Sequence, residues 1–178
     1  MSDSPIFLAR RLAEEGEKVV AYFRGLSEQD WERIVYPQAS PECEEPPSDV
    51  GDGEIWQVRD VLAHFVSSEA ALVTLIADIV GGGEGAPMDV NIHDFNQKHV
   101  KALAGVSPEE LLSELIESRR VMVEYVSSLT SEDMEKPGRH PFLGIMPLYE
   151  IIRLVYRHHQ IHLRDVRQVL WRGGDELE

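Results

Sequence analysis

Seven histidines stand in this chain: His64, His93, His99, His140, His158, His159 and His162. Two of them, His158 and His162, are four residues apart. On a helix that spacing stacks two side chains on one face, and two imidazoles so placed can chelate one metal ion, as in other helical HxxxH sites. His64, beside the apolar Val61 and Phe65, offers a third nitrogen. Three neutral imidazoles suit Zn, Ni, Fe or Cu in the +2 state better than Mg or Ca. Three protein ligands also leave a coordination position open for water or substrate, the pattern of catalytic rather than structural sites.

The helix that carries the pair places it inward. With Val155 at zero and about 100° per residue, Leu148, Ile151, Ile152, Val166, Val169 and Leu170 fall within about 60° of it. His158, His159 and His162 share that sector, while Arg153, Arg157, Gln160, Arg164 and Arg167 point away. Burying imidazoles costs free energy unless their nitrogens find partners. Two arrangements would supply them: a shared metal ion, or hydrogen bonds among histidines in a polar bundle interior. His159 is the rival of His158, because an i, i+3 pair with His162 can also chelate.

Stepping outward, apolar residues recur at helical spacing in four long segments. The first runs from about Pro5 to Arg24, with Ser4 as N-cap and Pro5 as first helical residue. The second runs from about Gln57 to Val80 and is stopped by Gly81-Gly82-Gly83. The third opens at Ser107-Pro108-Glu109-Glu110, a cap, a proline and a capping-box glutamate, and ends near Leu129. The fourth runs from near Pro147 to about Trp171, ahead of Gly173-Gly174. Residues 81 to 107 form a long crossover with a short helix at about Asn91 to Leu103. Such a connection frees the second and third helices from being antiparallel neighbours. Leu26-Ser27-Glu28-Gln29-Asp30-Trp31 and Leu129-Thr130-Ser131-Glu132-Asp133-Met134 read alike, as capped helical turns, and suggest two duplicated helix-link-helix halves. No segment alternates as a strand would. The expected fold is therefore all-α, a four-helix bundle forming one domain over residues 1–178.

Composition narrows the function. With 17 Lys+Arg against 32 Asp+Glu, the formal charge is -15. Such a surface repels phosphate backbones, so nucleic acid is not an expected partner. The single cysteine, Cys43, rules out an intramolecular disulfide and lies among carboxylates that disfavour a thiolate. Met1-Ser2-Asp3-Ser4-Pro5 lacks the features of a signal peptide, and no apolar run reads as a membrane span, so a soluble, cytoplasmic protein is expected.

The stretch Trp56-Gln57-Val58-Arg59-Asp60-Val61-Leu62-Ala63-His64 resembles the second-helix signature of the DinB-like superfamily, and His158-His159-Gln160-Ile161-His162 matches the HxxxH of its fourth helix. The helix spacing, the link after the third helix and the crossover are similar over almost the whole chain. That superfamily includes the bacillithiol and mycothiol S-transferases and the mycothiol-dependent maleylpyruvate isomerase. The resemblance implies a four-helix bundle with a three-histidine metal site, mapping to His64, His158 and His162. Where many members carry Gln, three residues after the last histidine, this chain has Asp165, which bears on the hydrogen bonding behind that ligand.

The function expected from this is a metal-dependent enzyme using a divalent transition metal (Zn, Ni or Fe). It would transfer a low-molecular-weight thiol to a small-molecule electrophile, or hydrolyse a small-molecule substrate. The alternative is a non-catalytic metal- or ligand-binding bundle, with a homodimer as a common assembly for such folds. Asp165 and Glu69 are the carboxylates expected to support the ligands from behind; no general base is evident. Arg119 falls among Leu112, Leu115, Met122 and Val126. It is a candidate for binding an anionic cofactor or substrate, although an edge residue with its head in water is the favoured reading. His93-Asp94-Phe95-Asn96 and His99, in the crossover, line the pocket mouth or belong to a solvated short helix. His140 is expected to hold nothing, and Trp31 and Trp56 to anchor packing.

Overall fold

The computed structural model describes residues 4–37 and 54–172. Its elements run α1 (Pro5–Arg24), α2 (Glu28–Trp31), β1 (Ile34–Tyr36), β2 (Trp56–Gln57), α3 (Val58–Val80), α4 (Ile92–Ala102), α5 (Pro108–Ser128), α6 (Ser131–Met134), β3 (Pro137–His140), β4 (Gly144–Pro147) and α7 (Leu148–Arg172). Cys43 and Gly173-Gly174 lie outside the described residues.

Local chemistry sets the ends of the long helices. The Ser4 hydroxyl accepts from the Phe7 amide at 3.3 Å ahead of Pro5, satisfying an N–H that the first turn leaves unpaired. Ser107 and Glu110 form the expected reciprocal box at the start of α5. At α3 the Gln57 amide donates to the Asp60 carboxylate at 2.9 Å, and Gly81 ends the helix.

Each of α1 and α3 packs against both α5 and α7, so α1 and α3 lie on one diagonal of the bundle and α5 and α7 on the other. The core divides into two clusters. One gathers Phe23, Phe65, Leu111 and Val166; the other gathers Leu8, Ile76, Met122 and Ile151. The first cluster lies toward the C-terminus of α1 and α7 but toward the N-terminus of α3 and α5. Hence α1 runs parallel to α7, and α3 parallel to α5. The crossover through α4 is what lets α3 and α5 be parallel neighbours, because the chain must return to the starting end.

A polar node separates the two clusters, and all four long helices contribute to it. Arg119 of α5 pairs through two nitrogens with the Glu69 carboxylate of α3, donates to the Leu12 carbonyl of α1 at 2.6 Å, and lies 3.0 Å from His159 Nδ1 on α7. Gly16 makes room for it: a Cβ there would stand 3.0 Å from the Arg119 stem.

Two expectations are overturned. Strands exist: β1 pairs antiparallel with β2, and β3 with β4. At two to four residues they are too short to show the period-two alternation by which a strand is read. Each half thus runs long helix, short helix, strand, strand, long helix. Secondly, α3 is long and apolar enough, by length and composition alone, to cross a membrane. Here it is a bundle helix that buries His64 and Glu69 alongside its apolar residues.

Candidate metal centre

His64 reaches the bundle interior from α3, and His158 and His162 meet it from α7. His158 Nε2 lies 2.9 Å from His64 Nε2 and 3.0 Å from His162 Nε2, and the three ligating atoms all lie within 4.8 Å of one another. Trp56 of β2 covers His64 with ring centroids 5.0 Å apart, and Phe65 lies about 6 Å from the rings of both His158 and His162. Trp56 is a packing residue, as expected, and so is Trp31, which stacks on Phe23.

The outer nitrogen of His162 is held from behind. The Tyr36 hydroxyl donates its one proton to Asp165 Oδ2 at 2.8 Å and also lies 2.6 Å from His162 Nδ1. With its proton committed to the carboxylate, the phenol oxygen can only accept from the ring. His162 therefore carries its proton on Nδ1 and turns the Nε2 lone pair toward the other two histidines. Asp165 thus supports the triad through Tyr36, whereas Glu69 belongs to the node with Arg119.

These residues fit a metal ion better than a purely hydrogen-bonded cluster. If His162 Nε2 is a lone pair, a proton on His158 Nε2 must be shared between two acceptors, and one on His64 Nε2 leaves His158 and His162 facing lone pair to lone pair. Three lone pairs on one cation remove that conflict. Tetrahedral metal–nitrogen bonds of about 2.0–2.1 Å place ligand nitrogens roughly 3.3 Å apart, and the observed 2.9 and 3.0 Å need to open by only a few tenths.

His159, the rival ligand, is drawn elsewhere. Its ring stacks on Phe65 with centroids 4.0 Å apart and its Nδ1 faces Arg119. Burial, the Arg119 charge and the three neighbouring histidines hold its pKa well below the ordinary value, so it is neutral. Arg119 is buried rather than at an edge, so the reading with its head in water fails. It lines a separate cavity of about 560 Å³ shared with His159 and Gly16, not the one onto which the triad opens. Burial pushes the Glu69 carboxyl up, and the Arg119 guanidinium opposes that shift.

The triad opens on a cavity of about 580 Å³ between α3 and α7. Leu72 and Leu75 form one wall, Leu154 and Ile161 another, and Phe95 and Asn96 of α4 a third. The β3–β4 turn brings Phe142 and Leu143 to it. Gly85, at φ +88°, lets the crossover run against β3, where a Cβ would stand 2.7 Å from the Arg139 backbone.

Two expectations change here. His140 lines this cavity, and its Nδ1 accepts from the Phe142 and Leu143 amides at 3.2 and 3.3 Å. Burial, then the His158 charge, push its pKa down to about 4. Arg157 also lines the cavity. The cavity lies along the flank of α7, so a residue about 100° from His158 reaches it while pointing away from the core. His93 is exposed and His99 bonds to the Phe95 carbonyl; neither lines the cavity. Tyr36 escaped the sequence reading altogether. Its partner lies 126 residues away, and no periodic pattern marks it. The pairing of Tyr36 with Trp56 carries it to the site.

The sequence pattern of the DinB superfamily matches residues 11–166. No curated protein matches the chain. Among solved structures, YfiT from Bacillus subtilis, described as a probable metal-dependent hydrolase with an unusual four-helix bundle topology, is 17% identical with a TM-score of 0.67, over 93% of this chain and 87% of that one. Uncharacterised proteins from Clostridium difficile 630 and Escherichia coli UTI89 are 16% and 15% identical, with TM-scores of 0.66 and 0.67. They are covered over 96% and 95% of their lengths, and cover 96% and 97% of this chain.

Proposed function

The chain belongs to the DinB superfamily, and from that premise we propose that it is a metal-dependent enzyme acting on small molecules. His64, His158 and His162 hold one divalent transition metal, Zn, Ni or Fe. The observation that carries this reading is the convergence of three imidazole nitrogens beside a largely apolar cavity, with His162 held in one tautomer by Tyr36. When bound, such an ion supplies Lewis-acid chemistry, making a nucleophile of water or a thiol at neutral pH. Hydrolysis and transfer of a low-molecular-weight thiol to an electrophile share that requirement. The description of YfiT favours the first, and the sequence resemblance to thiol transferases the second.

The remaining roles fall to side chains of this chain. Tyr36 and Asp165 orient His162. Leu72, Leu75, Leu154 and Ile161 hold the substrate body and exclude water. His140, neutral at pH 7 with Nδ1 accepting from two amides, presents an Nε2–H toward the cavity as a hydrogen-bond donor.

The test is elemental analysis of protein purified without a metal-affinity step. About one transition metal per chain is expected, lost in His64→Ala, His158→Ala and His162→Ala but retained in His159→Gln. Turnover panels of esters and amides, and of electrophiles with bacterial thiols, then separate the two chemistries. Protein that neither contains nor takes up Zn, Ni or Fe would overturn the proposal. Metal without turnover on either panel would reduce it to a metal-binding bundle.

A further inference from the structure

The same cavity carries information about what enters it. Its walls are apolar, and three large apolar side chains at its rim stay about half exposed: Phe142 at 54%, Leu143 at 49% and Ile161 at 48%. A volume of about 580 Å³ is that of a small-molecule site. Exposed apolar side chains gathered around one opening mark a surface that a ligand covers.

Formal charge around the cavity is balanced, unlike that of the molecule. The chain carries a formal charge of -15, yet the formally charged side chains lining this cavity are one acid, Asp78, and one base, Arg157. Asp78 is occupied, since its Oδ2 accepts from the Gly85 amide at 2.9 Å. Arg157 is not. Other arginines of α7 are engaged: Arg153 pairs with Glu150, Arg164 with Asp165, and Arg167 lies over the Tyr22 ring. Arg157 makes no ion pair among the described residues. Leu154, Arg157, His158, Ile161 and His162 form one i, i+3, i+4, i+7, i+8 stripe along the cavity, so the exposed Arg157 lines the same cavity as His158 and His162.

We propose that this cavity takes a small molecule with an extended apolar body and one anionic group, a carboxylate or similar oxyanion, that Arg157 recognises. A guanidinium selects such a group by paired, charge-assisted hydrogen bonds, and the apolar walls take the rest. The proposal names the substrate class of the site described above and rests on reading that cavity as its substrate side.

The experiment uses full-length protein stripped of metal, with the fluorescent apolar dye N-phenyl-1-naphthylamine as reporter. Octanoate and octanol, alike in body and differing in the anion, are the displacing ligands. Octanoate is expected to displace the dye about tenfold more effectively than octanol. Arg157→Gln should remove that preference while leaving octanol and the dye within about twofold of wild type. The dye should bind more weakly to Ile161→Asp, which places it in this cavity. Three results would each overturn the proposal: no dye binding, octanol equal to or better than octanoate, or a preference that survives Arg157→Gln. Zinc uptake by the same preparations is measured in parallel. Its retention alongside a failed displacement sinks the ligand class alone, and its absence sinks the metal reading.

Discussion

The Tyr36 hydroxyl lies within hydrogen-bonding distance of Asp165 Oδ2 and His162 Nδ1 at once, so one phenol decides which nitrogen of a ligand stays bare. Groups that orient a metal-bound imidazole are commonly worth 10–100-fold in affinity. Tyr36→Phe keeps the ring's packing against Trp56 and removes only the relay. Its zinc dissociation constant, measured by competition with a chromophoric chelator, should rise by about 10–100-fold, with the helical circular dichroism unchanged. An unaltered constant would mean that His162 finds its tautomer without Tyr36. The HxxxH pair was legible in the sequence because helical periodicity puts its two rings on one face of α7, and His64 was legible only as a further histidine among apolar residues of another helix. The tyrosine was not, because nothing local links residue 36 to residue 162.

At the scale of elements, the Glu69–Arg119–His159 node joins α3, α5 and α7 and reaches α1 through the Leu12 carbonyl. Glu69 is fully buried. Removing one partner of a buried pair leaves the other charged and unmatched, at a cost of about 3–5 kcal/mol, whereas replacing both by apolar residues can be neutral. Glu69→Leu should therefore lower the unfolding free energy by about 3–5 kcal/mol in urea titrations, and Glu69→Leu with Arg119→Met should recover most of it. Additive losses would show that the pair contributes independently. Arg119 read from sequence as an edge residue with its head in water, or as a group for an anionic ligand. That it pairs with the Glu69 carboxylate, and that both stand apart from the metal-side cavity, follows from how α3 and α5 are set side by side.

For the molecule as a whole, the two core clusters, the node and the cavity are stacked along one bundle, so protonation at one place is felt in global stability. His140 has its pKa pushed from 6.5 to about 4, first by burial. Because the folded value lies below the unfolded one, the unfolded chain binds the proton more readily in the acid range. The stability that His140 contributes is complete above about pH 6.5 and is lost as pH falls through about 4. Urea midpoints of metal-free protein should fall between pH 7 and pH 4, and His140→Gln should show a shallower fall. Parallel profiles for the two proteins would remove His140 from the account.

The sequence alone determined the helices, their caps, the inward face of α7 and the HxxxH pair that this face carries. Each of these depends on contacts within a few residues or on a period of 3.6. Tertiary structure decided that α1 and α3 lie on a diagonal and that β1 carries Tyr36 to His162. It also decided that Arg119 takes His159 away from the triad and that Arg157, though exposed, stands at the edge of the cavity. Those outcomes depend on which helix flanks meet and on hydrogen bonds between residues 40 to 129 positions apart. Spacing along the chain carries no record of that geometry.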